Sequence, residues 1–560
     1  GGAVVSGAGA GSGQEVPAGF ERALAAARRP DYAEGDWLVD YFPANLQTLT
    51  PLLSSDSYAS RVQRRVVEGL LTRDPETFAW KPLVAESFET SEDGLRITMR
   101  IRDGVTFSDG EPLTADDVAF TFDFIMDERI AAPRIRAYLS RIESVTADGD
   151  EVVFRYSEPY FEALDLAAGF PILARHFYGR YLESAEAAEE FNNSTGLLFG
   201  TGPYRLERPG AWTPGDPIEL VRNERYWGPV RAPFDRLVWK VIGNDTARLT
   251  EFRNGDIDLF AARPVDYLEL RDDPAVEERA AFYEFYDALG GYSFIAWNQE
   301  RDGEPTRFAD RRVREAMTYL TDRERIVEEV LYGFAKPANG PFNPLGEQHD
   351  PSLPVRPFDV ERARELLAEA GFEDRDGDGI IESGAGEPFE FEFMYPATSD
   401  DIKRIALLLK DLYGRAGILL KPEPTDWPIM VKALNDKDFE VTTLAWSSGI
   451  EIDIYQMFHS DQIAPGADNF IHYSDPELDA LIAEARAEVD PERRKELWRE
   501  CHRILWEDQP YTFLLRRQRL DYVDRRIENV QRVRAGLNAG GLWSMPDEWY
   551  VPGPQQRYTD

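Results

Sequence analysis

Two periodicities divide this chain. Before about residue 300, apolar and polar positions alternate in short runs, the pattern of half-buried strands. Beyond residue 310, apolar positions recur every three or four residues, the pattern of amphipathic helices. Residues 36–42 (DWLVDYF) read as a first strand and PANLQTLTPLLSSDSYA as a loop. From Ser57 a helical face carries Val62, Val66 and Leu70. Residues 83–88 and 95–102 alternate around Glu92-Asp93-Gly94, a hairpin signal. Thr114 is placed to cap the helix VAFTFDFIMD, with Asp117 at its third position. Further strands are expected at 152–156, 218–222, 237–242 and 257–260, and a helix capped by Asp245 ends at Asn254-Gly255.

The later half predicts helices at 311–320, 322–333 and 359–370, the last closed by Gly371. A strand at 389–395, a helix at 401–413, a strand at 418–421 and a helix at 426–434 follow. Asp475-Pro476 and Asp490-Pro491 each set proline in the first turn of a helix, before a strand at 511–516. The run VTTLAWSSGIEIDIYQMFHS, residues 441–460, joins a β-prone apolar stretch to small polar residues beside Trp446. A buried strand ending in that way suits the floor of a ligand pocket; it equally suits a core strand with an ordinary turn.

The 560 residues exceed one hydrophobic core, and the alternation of helix and strand indicates α/β architecture. The chain builds one lobe, leaves it for another and returns, and such paired crossovers make a hinge with a ligand-trapping cleft. Hydrophobic content of 43% argues against disorder, and no apolar run reaches the roughly 20 residues of a membrane helix. A net charge of -39 reads as a solvated acidic surface and excludes nucleic acid as a partner, which needs basic faces. Cys501 stands alone, so no intrachain disulfide or multi-cysteine metal site exists, and the five histidines lack metal-ligand spacing. Residues 1–19 are rich in Gly and Ala and read as a disordered tail. That tail suits either an exported chain whose signal was removed or a plain disordered segment, and a flexible tether of this kind would also suit a membrane-anchored exported protein.

Several runs together resemble extracellular solute-binding proteins of family 5, the oligopeptide-, dipeptide- and nickel-type receptors of ABC importers. The most specific is Arg102-Asp-Gly-Val-Thr-Phe-Ser-Asp-Gly-Glu-Pro-Leu-Thr-Ala-Asp-Asp-Val118. Glu68-Gly-Leu-Leu-Thr72, Gly200-Thr-Gly-Pro-Tyr204, Asn223-Glu-Arg-Tyr-Trp227, Asn254-Gly-Asp-Ile-Asp258 and Asp310-Arg-Arg-Val-Arg-Glu-Ala316 accompany it in order. The resemblance implies an α/β fold of the periplasmic-binding-protein type II, two hinged lobes with an extra β-rich sub-domain. The expected boundaries are a tail at 1–19, lobe I at 20–78, 200–296 and 515–560, the sub-domain at 79–199 and lobe II at 297–514. It further implies a monomeric, extracytoplasmic receptor that captures a peptide or similar organic solute and hands it to an ABC permease in the cytoplasmic membrane. It implies no catalysis and no required cofactor.

In peptide-binding members of that family an Asp shortly after this Trp grips the peptide's α-amino group. The same frame puts Gly449 there, after Trp446, Ser447 and Ser448, so the carboxylate is missing. Glu451 and Asp453 are its nearest substitutes. Tyr41, Phe42, Asn45, Trp427 and Asn298 are further candidates at lobe edges and crossovers, each equally suited to a core role. Separately, Asp374, Asp376 and Asp378 alternate before Gly379, with Ile380 offering a carbonyl and Glu382 in the ninth position of a calcium loop. Ala385 stands where such a loop ends in Glu, and an acidic turn is the plainer reading. A secreted hydrolase is disfavoured by the lack of GxSxG, zinc or phosphate-loop motifs. A binding protein for signalling or chaperoning stays open.

Overall fold

A computed structural model describes residues 17–54, 57–464, 466–538 and 547–558. Residues 1–16, most of the expected tail, lie outside them. The chain forms two compact units, one running to Phe285 and resuming at Arg519, the other spanning Tyr286–Gln518. Strand Tyr292–Trp297, which the expected boundary at 296/297 would split, therefore lies wholly in the second unit. It is hydrogen-bonded there on both sides, to Val441–Trp446 and Tyr511–Arg517.

In the first unit Trp37–Phe42 forms where expected. It pairs parallel with Arg236–Val241, which pairs antiparallel with Ile218–Arg222. A second sheet sets Arg519–Asp524 between Leu259–Ala261 and Ala280–Phe285. The returning segment thus supplies the central strand, so this sheet closes only when the chain comes back. A third, antiparallel sheet orders Ala85–Thr90, Arg96–Ile101, Glu151–Tyr156 and Ile142–Asp148 over its own core, which includes Ile97, Phe124, Phe154 and Phe191. The strand expected at 83–88 starts two residues late because Trp80–Pro82 first pairs with Leu71–Arg73.

The signature runs build this unit. The buried Asp117 carboxylate accepts from the Thr114 amide at 2.9 Å and from the Arg175 amide at 2.9 Å, locking helix Ala115–Met126 to a distant loop. Glu68 gathers three runs: its carboxylate accepts from Thr201 Oγ1 (2.9 Å), Tyr226 OH (2.8 Å) and Trp227 Nε1 (2.9 Å). Burial pushes the Glu68 carboxyl up to about 7, although all three bonds oppose that. Gly200 and Gly202 press on neighbouring backbone; a Cβ would lie 2.3 Å from Val66 O and 2.4 Å from Arg65 O, respectively. Helix Asp245–Asn254 is capped by Asn244 and not by Asp245, whose carboxylate is held by Arg248 and Arg263.

The second unit is built around a six-stranded mixed sheet, ordered Ala335–Pro337, Tyr511–Arg517, Tyr292–Trp297, Val441–Trp446, Glu390–Pro396 and Leu419–Thr425. The first four strands are mutually antiparallel and the last three parallel. Ile295, Trp297 and Val441 point to one face, into a core with Val313, Met317, Leu366, Leu409 and Tyr413 from three helices. Strand alternation sends Tyr292, Phe294, Leu444 and Trp446 to the other face. Asp359, Asp475 and Asp490 cap their helices, and Pro476 and Pro491 fall in the first turns as the sequence suggests.

Candidate functional site

The strand Val441–Trp446 lies inside the sheet, and its last residue opposes Tyr292. Four rings from separate segments line this end. Phe294 stacks on Tyr511 at 4.1 Å and on Trp446 at 6.2 Å. Phe470 joins at 6.1 Å from Trp446 and 6.4 Å from Tyr511. Trp446 is half-buried, and its buried Nε1 lies against the buried Tyr511 hydroxyl. Burial pushes the Tyr511 phenol well up, so it stays protonated.

The chain leaving Trp446 is exposed at Ser447 and half-buried from Ser448 to Asp453. Its far end is clamped. Gln348 makes two bonds to Ile452, accepting from its amide at 2.7 Å and donating to its carbonyl at 2.9 Å. Glu451 accepts from Arg494 Nε at 2.7 Å and Trp498 Nε1 at 3.0 Å. Asp453 accepts from Arg486 Nε at 2.8 Å, and Arg486 also sits 4.0 Å over the Tyr455 ring. Both acids expected to replace the missing anchor are thus neutralised by arginines of helices Pro476–Ala487 and Pro491–Asp508. Between clamp and strand, the amides of Ser447, Ser448, Gly449 and Ile450 find no acceptor among the described residues. The result is a row of main-chain donors beside an aromatic face, held at both ends.

The loops beneath are as firmly fixed. Arg516, whose guanidinium burial pushes down to about 10, donates to the carbonyls of Gly340, Pro341 and Phe342 and covers Tyr292 at 5.3 Å. Asn343 donates to the carbonyls of Asp287, Ala288 and Gly290. Sequence reasoning missed Gln348, Asn343, Arg516 and the rings of Phe294, Phe470 and Tyr511. No local signal marks a polar side chain whose partners are backbone carbonyls of remote loops.

The other candidates fall elsewhere. Asn298 is fully buried and does not mark a crossover, since the chain passes between units at 285/286 and 518/519. Its amide donates to the carbonyls of Lys437 and Phe439 and accepts from His472, which leaves no polar group for a ligand. Trp427 opens helix Trp427–Asp436 and is 56% exposed, beside Ile429. In the first unit Phe42 is core, stacked on Trp239 at 5.8 Å. Tyr41 is half-buried under Arg248, and burial pushes its phenol up to about 12. Asn45 is exposed.

Carboxylate oxygens of Asp374, Asp376, Asp378 and Glu382 lie within 4.8 Å of one another. The loop is shaped by its own acids: Asp374 accepts from the Gly377 and Gly379 amides, Asp376 from Asp378, and Asp378 from Ile380. Glycines at φ 82° and 92° make the turns, and an antiparallel bridge between Glu373 and Glu382 closes the loop. The buried Glu382 accepts from the Arg375 amide at 2.8 Å. Three exposed acids and one buried acid converge as a hard cation requires.

Comparison with known proteins gives a consistent result. The family described as bacterial extracellular solute-binding proteins, family 5 Middle, matches residues 79–462. The oligopeptide-binding protein AppA of Bacillus subtilis is 31% identical over 476 residues, covering 83% of this chain and 84% of that protein. Protein XP55 of Streptomyces lividans is 31% identical over 472 residues, covering 83% and 81%. The structure of Bacillus subtilis AppA in complex with a nonapeptide superposes with a TM-score of 0.72 at 27% identity, over 93% of this chain and 99% of that one.

Proposed function

From the premise that the chain belongs to the bacterial extracellular solute-binding proteins of family 5, we propose that it captures peptides outside the cytoplasm for an ABC import permease. Members of this family are receptors and not enzymes, so its work is selective binding. The observation that carries the peptide reading is the row of unused amides at 447–450 beside the rings of Trp446, Phe294, Phe470 and Tyr511. Main-chain donors recognise peptide carbonyls whatever the side chains, and aromatic walls accept varied apolar residues. The relatives support it: one at 31% identity is an oligopeptide-binding protein, and its structure at 27% identity holds a nonapeptide.

Ser447, Ser448, Gly449 and Trp446 are the proposed contacts. Glu451 and Asp453 act as clamps that hold the loop in its binding shape, and Trp427, exposed on its helix, is an outlying contact. Thermal-shift titration with di- to nonapeptides, sugars and amino acids tests the reading. Peptides are expected to raise the melting temperature, and stabilisation by sugars alone overturns it.

The loop 374–382 is proposed to hold a structural calcium ion. Its support is the convergence of four carboxylates around glycine turns, with Asp374, Asp376, Asp378, Glu382 and the Ile380 carbonyl as ligands. Calcium would neutralise the mutual repulsion of those acids and brace the strand that follows at Glu390–Pro396.

A further inference from the structure

The triplet Asn-X-Ser/Thr, with X not proline, marks an asparagine that can carry sugar in a chain exported across a membrane. It occurs three times here: Asn192-Asn193-Ser194, the overlapping Asn193-Ser194-Thr195, and Asn244-Asp245-Thr246. So short a motif recurs by chance, and the structure separates the three.

Asn192 is in use. It ends helix Ala185–Asn192, and its Oδ1 accepts from the Ala131 amide at 2.7 Å while its Nδ2 donates to the Arg129 carbonyl at 2.8 Å. Its nitrogen is therefore turned to protein. Asn244 is committed as the cap of helix Asp245–Asn254, accepting from the Ala247 amide at 2.9 Å, with Thr246 already inside the helix. Asn193 differs from both. It is exposed, and its side chain makes no hydrogen bond or ring contact among the described residues.

The chain on either side of Asn193 is fixed. Its own amide donates to the Glu189 carbonyl at 3.0 Å. Phe191 is fully buried against Phe124 and Tyr181. Ser194 Oγ donates to the Phe191 carbonyl at 2.6 Å and lies 2.9 Å from Thr50 Oγ1. The Thr195 carbonyl accepts from the Leu49 amide at 2.7 Å, and its hydroxyl donates to the Trp212 carbonyl at 3.0 Å. Asn193 is the side chain this pinned segment leaves outward, so a bulky group attached there breaks no bond and opens no apolar contact.

We propose that Asn193 is an N-glycosylation site. The donor class is an oligosaccharide carried on a polyprenyl diphosphate at the outer face of the cytoplasmic membrane. Asn193 Nδ2 attacks C1 of the first sugar. The N–C1 bond forms, the bond from C1 to the diphosphate oxygen breaks, the amide loses one proton, and the polyprenyl diphosphate leaves with the bonding electrons. The transfer signal includes the Thr195 hydroxyl, which the folded chain has given to Trp212, so the sugar is added before this segment docks. The proposal rests on the chain working outside the cytoplasm and is independent of the solute it binds there.

The test takes the full chain from the cells that make it, separates cytoplasmic from external fractions, and reads its proteolytic peptides by mass spectrometry. The expected result is that the peptide containing residues 192–195 is heavier by whole sugar units, with fragmentation placing them on Asn193, while the peptide containing residues 244–246 has its bare mass. Asn193→Gln and Thr195→Ala should each abolish the added mass. Asn193→Gln leaves Asn192-Gln-Ser194 as an intact triplet, so its loss of sugar also separates Asn193 from Asn192. The Gln variant should melt with enzymatically deglycosylated wild type, because the side chain is exposed and unbonded. A bare 192–195 peptide in chain recovered outside the cytoplasm, or sugar on Asn192 or Asn244 in its place, overturns the site and leaves the receptor reading standing. A chain confined to the cytoplasm overturns both.

Discussion

Removing the charge of Glu68 perturbs the point where three separated runs of the sequence meet. Its carboxylate holds Thr201, Tyr226 and Trp227 at 2.8–2.9 Å, and burial raises it from an ordinary 4.5 to about 7. Between those values the folded state keeps a proton that the unfolded chain has released. Stability from this group is therefore fully present below about pH 4.5 and is lost as pH rises through 7. At 1.36 kcal/mol per pH unit the interval amounts to roughly 3 kcal/mol. Glu68→Gln keeps an acceptor for Thr201 and Trp227 and cannot titrate, so it should flatten the pH dependence by about that amount. Glu68→Ala strands three buried donors at about 1–3 kcal/mol each and should lower the melting of the first unit by many degrees at every pH. Scanning calorimetry of the whole chain from pH 4.5 to 8 reads both effects as differences from wild type. The comparison cancels the slope from Asp258, another buried carboxyl, raised to about 6. A Gln variant with the full wild-type slope, or an Ala variant melting with wild type, would refute the reasoning.

Two further predictions concern the second unit. Trp446→Ala removes one slab of the ring stack and should weaken peptide binding about tenfold or more, while the ligand-free protein melts only a few degrees lower. Collapse of the ligand-free protein would make Trp446 core and not contact. Calcium at a hundredfold excess over its dissociation constant should stabilise the second unit by about 2.7 kcal/mol, seen as a higher melting temperature that EGTA and Asp376→Asn abolish. A melting temperature indifferent to calcium would remove the ion from the account.

What sequence reveals here is what local physics decides. Aspartates before Pro476 and Pro491 cap helices because the cap needs only the next three amides. The apolar run into Trp446 forms its strand for similarly local reasons. The errors arise where a partner far along the chain decides. Asp245 loses the cap to Asn244 because Arg263, eighteen residues on, takes its carboxylate. Glu451 and Asp453 look like free acids in sequence, yet their arginines lie 43 and 33 positions away on helices. No strand is read at Tyr292–Trp297 from sequence, because its place is set by pairing with Val441–Trp446, a register no local pattern encodes.

The most direct test of the receptor reading is to identify what the folded protein carries. Native mass spectrometry of the chain as purified, before and after unfolding and refolding, shows whether a small molecule travels with it. The account predicts a peptide released on unfolding, and rebinding of that peptide restoring the original mass. A chain that carries nothing, shifts with no peptide and turns over a substrate from a generic hydrolase panel would contradict it.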